Sequence, residues 1–129
     1  MTIQATISYG EFLDKLTILE IKNERMTDKT KLINIQNELS LVKKLWDDCP
    51  ASNIDIKSEL AALKTINEKL WVIEDDIRDK ERQQNFDQSF IDLARSVYFE
   101  NDTRAKIKKD INLKLGSDLI EEKSYSNYK

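Results

Sequence analysis

Leu32, Ile35, Leu39, Val42 and Trp46 follow one another at steps of three and four, the spacing of one face of an α-helix. Phe12, Leu13, Leu16, Leu19 and Met26 lie upstream in a similar helical pattern, and Leu60, Leu63, Ile66, Leu70, Ile73 and Ile77 form a longer seam downstream. Punctuation residues set the ends of these segments. Ser8 followed three residues later by Glu11 predicts a capping box: the hydroxyl accepts from a free backbone N–H while the carboxylate reaches back to the cap's own N–H. Thr27 or Asp28 ends the first helix and caps the second, and Pro50 in WDDCP stops the second by forcing its predecessor out of helical geometry. Residues 9–47 therefore read as two antiparallel helices joined by a short turn. After PASNID a third helix runs to about residue 84. NFDQSF turns the chain, Asp87 caps a fourth helix, and Gly116 ends it. Residues 1–8, where Ile3, Ala5 and Ile7 alternate with polar positions, predict an extended arm lying along something apolar. Residues 117–129 read as a polar tail with two tyrosines. The expected fold is all-α: one domain over 1–129, an antiparallel bundle of four to five helices with an extended N-terminal arm.

Two stretches depart from this pattern. LWVI, near the middle of the third helix, places Trp71 and Val72 well away from the seam, on a side that a monomeric bundle would leave wet. Helices that are apolar all round are buried all round, so either the chain's own helices cover both sides or a second chain covers one. The other stretch is LARSVYFENDTRA (93–105). If 88–115 is one helix, Asn101, Arg104, Lys108 and Asn112 fall on or beside its core-facing stripe. Each such group costs about 1–3 kcal/mol when buried without a partner, and a charged one costs more, so partners or a ligand are expected. The alternative is that Asp102 caps a fresh helix, which makes Asn101 and Asp102 turn residues and leaves Lys108 solvated.

Composition narrows the class. Two glycines and one proline in 129 residues are too few for the turns of a sheet protein. The net charge of −3 argues against nucleic acid as the main partner, and the basic run TRAKIKKDINLKLG (103–116) reads as a solvated helix face. There is no histidine, hence no commonest general base or transition-metal ligand. Cys49, alone and before Pro50, can form neither an internal disulfide nor a zinc site. No apolar run is long enough to span a membrane and no signal segment opens the chain, so a reduced, soluble, cytoplasmic protein without a cofactor is expected.

Three clusters could carry chemistry. Asp75, Asp76 and Asp79 match the DDxxD spacing that holds Mg²⁺ in some helical enzymes, but Asp75 and Asp79 oppose the seam. Glu74 before Arg78 and Asp76 before Lys80 also read as surface ion pairs, so no metal site is assigned and these aspartates stand as its weak alternative. ILEIKNER (18–25) is similar to the first helix of the all-helical chorismate mutases. Thr27 and Asp28 interrupt it and the other cationic positions find no match, so the likeness is taken as chance. The third cluster is a candidate inter-helix pocket: Arg95, Asn101, Asp102, Arg104 and Lys108, with Glu74 and Arg78 opposite. Its cations and amides suit a small anionic ligand bearing phosphate or carboxylate, and its carboxylates suit sugar hydroxyls.

SYGEFLDKLTILEIKNER, LWVIEDDIR, FDQSFIDLARSVYFENDTRAKIKKDIN and GSDLIEEKSY together resemble a family of short, functionally uncharacterised proteins of bacteria and their phages, from Ser8 to Tyr125. The resemblance implies a self-standing domain and no known activity. Its phrases contain Glu11, Asp14, Lys15, Glu74, Arg78, Arg95, Tyr98, Asn101, Asp102, Arg104 and Lys123. Two functions are expected on these grounds. The first is a non-enzymatic interaction protein forming a homodimer through Trp71 and Val72. The alternative is a ligand-binding module or enzyme using the inter-helix pocket.

Overall fold

The computed structural model describes residues 1–128, so Lys129 of the expected tail lies outside the described residues. Among these there are four α-helices and no strand: α1 (Tyr9–Arg25), α2 (Lys29–Asp47), α3 (Lys57–Arg82) and α4 (Gln88–Leu115), with a 3-10 turn at Pro50–Asn53 between α2 and α3. Polar caps set the starts of three helices. Ser8 Oγ accepts from the Glu11 N–H at 3.1 Å, Asp28 from those of Thr30 and Lys31, and Asp87 from that of Phe90. Gly116 closes α4 in the left-handed conformation, φ +68°, which only glycine adopts without steric cost, and the Ser117 N–H returns to the Asn112 carbonyl. The Glu11 half of the expected capping box goes elsewhere: its carboxylate bonds Lys108 of α4.

The helix α1 packs against all three others. With α2 it forms an antiparallel hairpin whose open end is closed by Tyr9 and Phe12 on Trp46, ring centres 6.3 and 6.4 Å apart. The helices α3 and α4 form a second antiparallel hairpin, tied by Lys80–Asp87 near its turn and Lys114–Glu59 at its far end. One core joins the two hairpins: Leu13, Leu16 and Leu19 meet Leu39 and Val42, Ile56, Leu63 and Ile66, and Ile111 and Leu115. Apart from Ile56, just before α3, and Ile111 and Leu115 of α4, these are residues of the predicted stripes.

That core ends well before the α3–α4 hairpin does. No residue of α3 after Leu70 is buried, and none of α4 before Lys108. At about 1.5 Å per residue, 71–82 carry α3 roughly 18 Å beyond the last buried position. This distal stretch is a two-helix arm. Ile73, Ile77, Leu93 and Val97 are half-buried along it, while Val72 (44%), Ile91 (45%) and Phe86 (51%) stand exposed. Trp71 lies at its foot beside Ile18, Ile21 and Leu70, and so is partly covered by its own chain.

Residues 1–7 are exposed, Ile3 to 95%. Two expectations are corrected here. Residues 88–115 form one helix, so Asp102 caps nothing and the phase is never reset. Asp76 does not pair with Lys80, whose ammonium turns to Asp87 across the hairpin.

Candidate functional site

Where α1, α3 and α4 meet, the core is polar. Asp14 is 4% exposed, and its carboxylate accepts from Asn67 Nδ2 at 2.9 Å and faces Arg104 at 3.5 Å and Lys108 at 3.9 Å. Asn67 also donates to Thr17 Oγ1 at 3.0 Å, and Thr17 returns its proton to the Asp14 carbonyl. Lys108 reaches Glu11 at 2.7 Å and Glu121 of the tail at 3.8 Å. The Lys108 hydrogen bond, with its charge, holds the Glu11 carboxyl below its ordinary pKa, although burial works against this. Almost every buried polar group here therefore has a partner, the condition under which a charged core is tolerable.

The close approach of α1 to α4 depends on Gly10. Its N–H donates to Asn112 Oδ1 at 2.6 Å, and a Cβ at this position would come within 2.5 Å of the Lys108 carbonyl oxygen. A backbone atom cannot yield as a side chain can, so glycine fixes the spacing that lets Lys108 reach α1.

The tail folds back along α4. Glu121 accepts from Ser8 at 3.2 Å, and Tyr128 donates to Asp102 at 2.6 Å. That bond, burial and the Asp102 charge push the Tyr128 hydroxyl up to about 12. Tyr128 also packs edge-on against Tyr98 and Phe99, with ring centres 5.2 Å away in each case. Between tail and helix lies a cavity of about 630 Å³, lined by Asn101, Asp102, Arg104 and Lys108 from α4 and by Lys123, Tyr125, Ser126 and Tyr128 from the tail, among others.

The sequence-predicted residues are thus partly brought together. Asn101, Asp102, Arg104 and Lys108 share this cavity. Glu74 and Arg78, bonded to each other, line a second groove of about 450 Å³ with Asn101 and Arg104, so Arg104 stands between the two. Arg95 lines neither; it lies over the Phe99 ring at 5.9 Å. Asn101 is exposed, contrary to a core-facing stripe, because the arm has no third helix to cover it, and Asp102 beside it is exposed too. Asp75 and Asp76 are exposed and Asp79 pairs with Arg82 at 2.8 Å; among the described residues no three acidic or thiol groups gather as a metal would need.

Sequence reasoning missed Ser8's second bond, Gly10, Thr17 and Asn67. A signal was present for two of them: Thr17 is four residues from Leu13, and Asn67 is four from Leu63 and three from Leu70, both on predicted core faces. The first phrase of the resemblance, SYGEFLDKLT, holds Ser8, Gly10, Glu11, Asp14 and Thr17, all five of them in the polar core or its edge. The chain belongs to the family of unknown function DUF6165. That family's model matches residues 3–128, so it takes in the polar core, the arm and the tail together. No curated protein and no solved structure matches the chain. No described helix is long and apolar enough to cross a membrane.

Proposed function

We propose that this DUF6165 chain is a self-associating structural module, a homodimer joined through its α3–α4 arm, and that it catalyses no reaction. The observation that carries the reading is the absence of any buried residue in 71–107 beside a row of apolar side chains. Two helices alone cannot enclose a seam, so Ile73, Ile77, Leu93 and Val97 remain half covered. A second hairpin laid against the first makes a four-helix packing in which such positions are enclosed.

A second copy suits this surface because a two-fold contact sets like patches face to face. Val72, Ile91 and Phe86 supply apolar area there. The arm's own charges are of both signs, with Arg78, Arg82 and Arg95 interspersed among Asp75, Asp76 and Asp92, so an antiparallel pairing can offset them. The base cannot swing over to cover the arm, since its polar network fixes how α1 sits on α4.

The test is absolute mass by light scattering over a range of protein concentrations, for the natural chain and for the double variant Val72→Glu/Ile91→Glu. A mass of twice the 15.1 kDa chain, reduced to one chain in the variant with unchanged helix content, supports the reading. A single-chain mass at every concentration overturns it.

A further inference from the structure

Of the cations around the 630 Å³ cavity, two have donors to spare. Lys108 is spoken for by Glu11, Asp14 and Glu121. Arg104, by contrast, meets one carboxylate, at 3.5 Å, although a guanidinium carries five N–H donors in a fixed fork. Among the described residues Lys123 pairs with no carboxylate; it rests over the Tyr125 ring at 5.6 Å. Both line the same cavity, on opposite walls: Arg104 on α4 and Lys123 on the tail. The walls also carry Tyr98, Tyr125 and Tyr128, and the Asn101 amide. A volume of about 630 Å³ falls in the range of small-molecule sites.

We infer that this cavity binds a small monophosphate carrying a ring, a sugar phosphate or a nucleoside monophosphate, with the phosphate between Arg104 and Lys123 and the ring against the tyrosines. A planar guanidinium and a mobile ammonium together suit a phosphate's oxygens, and neither gives up an existing close ion pair to bind one. The apolar faces of Tyr98 and Tyr128 take the ring, and Asn101 and Asp102 stand where its hydroxyls or amide edges need partners. The tail supplies one whole wall, so the ligand joins tail to α4 and holds it there. The inference does not rest on the arm's association, although Val97 of the arm's seam also lines the cavity.

The experiment is calorimetric titration of the full chain with four probes: inorganic phosphate, glucose 6-phosphate, adenosine 5′-monophosphate and uncharged adenosine. Saturable binding is expected for one or both ring phosphates, at least tenfold tighter than for phosphate or adenosine alone. Which of the two binds more tightly separates the sugar source from the nucleoside source. Lys123→Glu and Tyr98→Ala, both at exposed positions where folding is spared, are each expected to weaken that binding at least tenfold. Limited proteolysis supplies a second reading: the bound probe should slow cleavage within 117–128. No saturable binding of either ring phosphate, phosphate binding as tightly as they do, or binding that neither variant changes would each overturn the inference.

Discussion

The α3–α4 hairpin has two halves that invert the usual distribution of side chains. Its base, below Leu70 and Lys108, buries Asp14, Asn67, Lys108 and Asn112 among leucines. Its arm, above them, leaves Val72, Phe86, Ile91 and Phe99 in solvent among charges. Burial is therefore set by how many helices surround a position, not by what the residue is. The base has α1 across it and can enclose even a carboxylate, given Asn67, Arg104 and Lys108 as partners. The arm has no third helix and cannot enclose isoleucine. The two halves also differ in what they specify: a paired polar core allows one register of α1 on α4, whereas a half-covered apolar seam leaves its partner open.

The sharpest way to break the contrast is to remove Asp14. Asp14→Ala takes its only carboxylate partner among the described residues from Arg104 and one partner each from Lys108 and Asn67, and a loss of about 3–5 kcal/mol in chemical denaturation is expected, as for one partner of a buried ion pair. A loss under 1 kcal/mol would mean that water already serves these groups. Gly10→Ala comes next. Its methyl meets the Lys108 backbone, so a loss of roughly 1–3 kcal/mol is expected, with weaker Lys108–Glu11 pairing seen as a Glu11 carboxyl that titrates closer to its ordinary value.

Acid probes the same half more gently. Glu11 has its folded pKa lowered below 4.5, so its contribution is complete above that value and is lost as pH falls through the folded one. Glu11→Gln should flatten that part of the acid-unfolding curve while leaving stability at pH 10 to the tail. There the sign reverses: Tyr128, raised from 10.0 to about 12, contributes fully below pH 10 and loses its contribution as pH rises through 12. Tyrosinate absorbance should show a component that titrates near pH 12, and Tyr128→Phe should remove it. The smallest effect belongs to the arm. Val72→Glu at low protein concentration should change stability by no more than about 0.5 kcal/mol, as at other exposed positions.

The fold was legible because α2 and α3 carry long stripes that few glycines or prolines interrupt, and because Ser8, Asp28, Asp87 and Gly116 mark ends by local chemistry. The site was legible only in part. Helical spacing placed Arg104 and Lys108 on the side of α4 that faces α1, but could not say that Lys108 pairs with Glu11 and Asp14, ninety or more residues away. Asn101 follows the same stripe, yet lies past the point where α1 stops covering α4; where a neighbouring helix ends is not written in a helix's own periodicity. The tail had no period to read, and its place over α4 rests on contacts at Glu121, Glu122 and Tyr128 with residues that no spacing links to them.

Hydrogen exchange followed at several protein concentrations measures base and arm in one experiment. Amides of α1 and of α4 around Ile111 should be protected to the same degree at every concentration, because their core is complete within one chain. Amides of 73–82 and 88–97 should exchange fast in dilute solution and slow markedly as concentration rises. Arm protection that is independent of concentration would contradict the proposal that this family member self-associates through its α3–α4 arm.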